Sequence, residues 1–102
     1  MIPDLRMMRT FLAVMDHGSV AAAARARGYS PTAVSRQLSQ MQSRLGKQLF
    51  VPSGRSIRPS EDAFDLMERA REFVAAADRF DAYAREVSLV RTSPSGAHAV
   101  AD

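Results

Sequence analysis

Apolar residues recur at three- and four-residue spacings through the first half of the chain, in three blocks separated by glycines. In the first block Leu5, Met8, Phe11, Leu12 and Met15 share one face, and Pro3-Asp4 and His17-Gly18 bound a helix. Ser19 is placed to cap a second helix, Val20 to Arg27, whose alanines allow close approach of a neighbour and which Gly28 ends. The third block, "YSPTAVSRQLSQMQSRLG", carries Ser30 as a cap, Pro31 at the first helical position and Gly46 as a left-handed stop. Val34, Leu38, Met41 and Leu45 form its apolar stripe. Its other face is Thr32, Ser35, Arg36, Ser39, Gln40 and Ser43. Helix, short Gly-containing turn and helix with a polar outer face is the spacing of a helix-turn-helix.

The helical period stops at Gly46. In "QLFVPSGRSIRP" two short runs, Leu49–Val51 and Ser56–Arg58, flank Ser53-Gly54 and predict a small hairpin with Arg55 at its tip. Pro52 and Pro59 bar either strand from the middle of a larger sheet. A two-stranded ribbon is marginal alone, so it must lean on the helices through Leu49, Phe50 and Ile57.

A long helix is predicted from a Ser60 cap to about Val87 or Val90, with Glu61, Asp62 and Asp65 at its dipole-favoured start. Ala63, Leu66, Ala70, Phe73, Ala77, Phe80, Ala84 and Val87 alternate in steps of three and four, a heptad seam with alanine at each a position and a bulky residue at each d position. About 28 residues make a rod of roughly 40 Å, longer than the head it follows, so its far half needs another partner. A homodimer through this seam is expected. The remaining residues lack periodicity and read as a frayed tail. The expected division is a helix-turn-helix head with its hairpin over 1–59, a linker helix over 60–90 and a tail over 91–102.

Charge sharpens this picture. The 102 residues carry a net charge of +3, but residues 1–59 hold nine basic against two acidic side chains, and residues 60–102 five against nine. A basic head on an acidic rod suggests that the head meets a polyanion. There is no cysteine, which removes disulfides, thiolate metal sites and a cysteine nucleophile. His17 and His98 lie far apart without an obvious carboxylate partner, so neither a metal cluster nor a catalytic triad is visible. No signal peptide or apolar span long enough for a bilayer appears, and the expected location is the cytoplasm. No enzyme activity and no cofactor are expected.

A Ser/Thr/Gln/Arg helix face is most often only a solvated face. Here the polar residues are short near the N-terminal end, the local charge is positive, and a basic hairpin follows. That combination suits a major-groove reader whose flanking groups fix phosphates. Arg36 has the fork to donate two hydrogen bonds to guanine, Ser35 and Thr32 can reach bases or phosphates, and the Pro31 ring can pack on a thymine methyl.

Residues 5 to about 87 resemble the N-terminal region of LysR-type transcriptional regulators, on "LRMMRTFLAVMDHGSVAAAARARGYSPTAVSRQLSQMQSRLGKQLF" and "SGRSIRPSE". The resemblance implies a mainly α fold: a winged helix-turn-helix of three helices and a two-stranded wing, then a long dimerisation helix. It also implies double-stranded DNA as partner, bound as a homodimer on an interrupted dyad, with a higher oligomer left open. Pro31, Thr32, Ser35 and Arg36 match the family's base- and backbone-contacting positions, Gln37 a position close to phosphate, and Arg55 the wing tip that approaches the minor groove. Ser39 and Arg58 complete the expected surface, and Ser19 sits where helix N–H groups can hold a phosphate. Two departures stand out. Pro52 replaces a common wing arginine, and Met41-Gln42 replaces a common Leu-Glu, removing a carboxylate. Family members continue into a large effector domain; these residues encode none, so no small-molecule effector site is expected in this chain. The rival reading is a helical protein-interaction module in which the long helix is the working part and the head binds no specific DNA.

Overall fold

The structure is a computed structural model and describes residues 3–91. Each of the first three helices starts at a side-chain cap and ends at a glycine. In α1, Leu5–His17, the Asp4 carboxylate accepts from the Met7 N–H at 2.9 Å; in α2, Val20–Arg27, Ser19 Oγ accepts from Ala22 at 3.0 Å. In α3, Pro31–Leu45, Ser30 Oγ accepts from Ala33 at 3.1 Å. Such caps satisfy N–H groups that lack helical partners and stabilise by about 1 kcal/mol each. Gly46, at φ +66°, adopts the left-handed turn that stops α3 and sends the chain toward the wing.

The wing is an antiparallel pair, β1 (Phe50–Ser53) and β2 (Ser56–Pro59), with Phe50 opposite Pro59 and Ser53 opposite Ser56. Gly54 at φ +63° followed by Arg55 at negative φ gives the two-residue turn of a hairpin with a glycine at its first central position. β1 starts one residue later and runs two further than expected. Leu49 is outside the ladder because its N–H donates to Gln42 Oε1 at 2.8 Å, and its carbonyl accepts from the Ser60 N–H at 2.8 Å. Pro52 enters β1 because in a two-strand ribbon each strand keeps one unpaired edge.

The helix α4 runs from Glu61 to Arg91, past the expected end; residues 92–102 of the expected tail lie outside the described residues. Ser60 anchors its start, its hydroxyl donating to the Gln48 carbonyl at 2.7 Å and accepting from the Ala63 N–H at 3.3 Å.

The core lies where α1, α3, β1 and the first turns of α4 meet. Phe11, Val34, Met41 and Leu49 are buried there, and the rings of Phe11 and Phe50 lie 5.9 Å apart in a tilted pair. The buried stripe of α1 is Met7, Phe11, Leu12 and Val14, while Met8 and Met15, expected to face inward, are half-buried at its flanks. Thr10 is fully buried as well, and its hydroxyl donates to Gln37 Oε1 at 2.6 Å, which ties α1 to α3. Arg9–Asp78 at 2.7 Å and Arg71–Asp16 at 2.6 Å tie α1 to α4 beside the apolar contact.

The expected seam divides. Ala63 and Ala70 have no exposed surface and belong to the head core, where the lack of a long side chain lets α4 lie close; they are not a free dimer face. Phe73 and Phe80 remain 39% and 68% exposed, with Leu66, Ala77, Ala84 and Val87 half-buried.

Gln42 emerges as a structural residue, because Oε1 also accepts from the Phe50 N–H at 3.0 Å. Gln42→Ala leaves both N–H groups without that acceptor and is expected to lower stability by about 1–3 kcal/mol, read by urea denaturation. Gln42→Glu keeps the acceptor and is expected to stay near wild type; equal loss in both variants would show that the shared carbonyl is not the source. The Asp16 carboxyl is held below the ordinary carboxylate value by the hydrogen bond from Arg71 and its charge, against a smaller opposing effect of burial. A lowered folded-state pKa contributes stability above the ordinary value, lost as pH falls through the lowered one. Asp16→Asn should therefore be slightly less stable than wild type at pH 7, and the gap should close as pH drops below 3.8. A gap unchanged at acid pH would contradict this.

Candidate nucleic-acid interface

The burial of Val34, Leu38 and Met41 fixes the roll of α3, and so decides what faces outward. Thr32, Ser35, Arg36 and Ser39 are all exposed on that side, and Pro31 is exposed at its first turn. Three short polar side chains and one long guanidinium thus stand exposed on one helix surface.

Two clefts flank this surface. One, of about 180 Å³, is lined by Val20, Ser35, Leu38, Ser39, Gln42, Phe50 and Ile57, so the outer edge of α3 meets both the start of α2 and the wing. The other, of about 240 Å³, is lined by Ser19, Val20, Ala21, Arg55, Ser56 and Ile57. It brings Arg55 of the wing tip and the N-terminus of α2 to one cleft. The first helical bond there runs from the Ala23 N–H to the Ser19 carbonyl, so the N–H groups of Val20 and Ala21 precede the helical ladder. A helix N-terminus and an arginine lining one cleft both favour negative charge nearby.

Ion pairing is uneven along the chain, although Arg6, Arg25 and Arg79 are also exposed without an ion-pair partner among the described residues. Arg9, Arg69, Arg71 and Arg85 each hold a carboxylate within 3.2 Å, on or against α4. Among the described residues Arg36, Arg55 and Arg58 have no ion-pair partner and are exposed. Positive charge is left uncompensated on the side of α3 and the wing.

The structure brings Ser19, Ser35, Ser39 and Arg55 to adjoining clefts, with Thr32 and Arg36 on the same helix surface. Arg58 lies opposite Val51 in the ladder, away from the tip. Gln37 differs from the others. It is half-buried and its carbonyl is occupied by Thr10, which leaves its NH₂ as the only end free to donate outward. Gln42 is the residue sequence reasoning missed. The departure from Leu-Glu removes a charge but not the function of an acceptor, since the amide oxygen holds the wing strand. A polar residue at the edge of the apolar stripe, one turn before the glycine stop, was the available signal. Arg27 also escaped notice: its guanidinium stacks 4.9 Å from the Tyr29 ring centre and donates to the Tyr29 hydroxyl at 3.1 Å, stiffening the turn before α3.

Residues 5–64 match the family model described as "Bacterial regulatory helix-turn-helix protein, lysR family". The chain is 32% identical over 77 residues to a probable HTH-type transcriptional regulator LtrA of Klebsiella pneumoniae, covering 76% of this chain and 24% of that protein. It is 37% identical over 71 residues to the regulator PecT of Dickeya dadantii, covering 70% of this chain and 22% of that one. The chain thus spans about a quarter of the length of these relatives. Among solved structures, the CbnR DNA-binding domain in complex with DNA superposes with a TM-score of 0.75 at 28% identity, over 83% of this chain and 98% of that one. OxyR of Corynebacterium glutamicum gives 0.79 at 26% identity, over 83% of this chain and 26% of that one. The winged helix-turn-helix with its long C-terminal helix, and the family match across more than half its length, place this chain in the LysR family of bacterial helix-turn-helix regulators.

Proposed function

We propose that this chain binds double-stranded DNA sequence-specifically to regulate transcription, as a homodimer joined through α4. The observation that carries the reading is the outward, unpaired surface of α3 with Arg55 and the α2 N-terminus on its flank. On this reading the first turns of α3 enter the major groove. Arg36 reads a guanine edge, and Thr32, Ser35 and Ser39 contact bases or the adjoining backbone. Pro31 packs at the groove floor, the Gln37 amide and Arg58 reach phosphates, and Ser19 with Arg55 clamps the backbone between α2 and the wing. Pro52 in β1 cannot supply the guanidinium of the common wing arginine, so the wing's phosphate grip rests on Arg55 and Arg58.

The exposed bulky residues of α4 support the dimer, since Phe73 and Phe80 on a rod extending the molecule to 61 Å leave apolar surface that a second copy would cover. No catalytic role is assigned to the chain, and its place of action is the cytoplasm, where promoter DNA is found.

Selection of bound sequences from a random duplex pool should return an interrupted dyad. Titration of the selected duplex at two salt concentrations should show affinity falling steeply with salt, as phosphate neutralisation requires. Absence of binding at low salt would refute the reading. Arg36→Ala should cost about 1–3 kcal/mol on the selected site and blur preference at one base pair. Arg55→Ala should weaken all sequences alike and flatten the salt slope by about 1. Phe73→Glu should shift sedimentation from dimer toward monomer; an unchanged ratio would remove α4 from the interface.

A further inference from the structure

Thr10 is a polar residue of the core whose one side-chain bond has an effect at the outer surface. Its side chain has no exposed surface, and its hydroxyl donates to Gln37 Oε1 at 2.6 Å across the contact between α1 and α3. Gln37 stands at the edge of α3, three residues after the buried Val34 and beside the exposed Arg36. One end of its amide therefore meets the core, and the other lies toward the surface that carries Arg36. Among the described residues Gln37 Nε2 donates to no protein group, and the one buried side-chain polar atom without a partner is Arg27 Nε. The Gln37 NH₂ is thus open to solvent.

An amide carries an acceptor at one end and two donors at the other. Turned one way, Gln37 offers N–H groups to the outside; turned the other way, it offers a carbonyl oxygen. The first attracts a phosphate and the second repels it. Thr10 selects between them. A separation of 2.6 Å belongs to O–H···O bonds and falls below the usual N–H···O range of about 2.7–3.2 Å, so the oxygen is the inward end. Reversal would take this acceptor from a buried hydroxyl proton, and an unpaired buried donor is strongly disfavoured. A group with no exposure of its own sets the polarity that α3 shows to a ligand.

We propose that Thr10 is a positioning residue for DNA binding: it holds the Gln37 amide with its NH₂ outward, ready to donate to a phosphate oxygen of the duplex. This rests on the DNA reading above and adds to it a residue that touches no nucleotide. The free chain already holds the amide in the orientation that the complex needs, so binding does not have to order it.

Variants titrated with the selected duplex, each first shown to fold by urea denaturation, test this. Thr10→Val keeps the shape of the side chain and loses the hydroxyl. It should weaken binding about three- to tenfold, the effect of ordering one side chain on association. Thr10→Ser should restore the affinity. Gln37→Ala should weaken binding by about tenfold or more, since a hydrogen bond to a charged oxygen is lost, and Thr10→Val added to it should bring no further loss. Replacing single phosphates by uncharged methylphosphonates should reveal one position at which the wild type loses affinity and Gln37→Ala does not, with Thr10→Val in between. Thr10→Ala, which removes the same hydroxyl, takes the place of Thr10→Val should that variant not fold. A further loss in the Gln37→Ala background, or a blurred preference at the base pair read by Arg36, would overturn the proposal by showing that Thr10 acts through the packing of α3. Full affinity in Thr10→Val or in Gln37→Ala would overturn it with DNA binding intact. A wild-type chain that binds no duplex would overturn the DNA reading itself, and this proposal with it.

Discussion

Phe11 holds the molecule together. Its ring has no exposed surface, lies 5.9 Å from the Phe50 ring of β1, and belongs to the one core cluster to which α1, α3, β1 and α4 all contribute. A domain of this size has one small core, so nearly every element must reach it. α3 does so with Val34, Leu38 and Met41, the wing with Leu49 and Phe50, and α4 with Ala63 and Ala70. Once those faces are committed, the opposite face of α3 is left exposed among the described residues. The surface carrying Thr32, Ser35, Arg36 and Ser39 is exposed as a direct result of packing on the other side.

Polar bonds convert that rough arrangement into a defined one. The Thr10 hydroxyl, buried in the core, is satisfied by Gln37, and this fixes the rotation of α3 against α1. The Gln42 carbonyl gathers two N–H groups of the chain entering β1, and the Ser60 hydroxyl bonds the Gln48 carbonyl where the chain leaves β2 for α4. The wing, too short to be stable alone, is pinned at both of its ends. Its tip can then hold Arg55 in one cleft with the N-terminus of α2.

Charge is divided along the same lines. Arg9, Arg69, Arg71 and Arg85, on or against α4, are paired with carboxylates, and among the described residues Arg36, Arg55 and Arg58 of α3 and the wing are not. Exposed pairs of this sort contribute little to stability. Their larger effect is to cancel positive charge along the rod, so that the field of the molecule concentrates on the side where a phosphate backbone would approach.

Local signals were sufficient for the helices: caps at Asp4, Ser19 and Ser30, glycine stops and apolar spacing act within one or two turns, and α1, α2 and α3 lie where those signals put them. The outward face of α3 was legible for the same reason, since periodicity alone separates its two sides. What sequence could not decide was anything requiring contact across elements. The heptad of α4 reads as one continuous seam, yet its first alanines are buried by α1 and only its later bulky positions stay open, because the same small side chain suits either neighbour. Gln37 and Gln42 look alike as polar residues on one helix. Only the fold brings Thr10 to the first and the β1 backbone to the second, because a hydrogen bond forms where chains meet, whatever their separation in sequence.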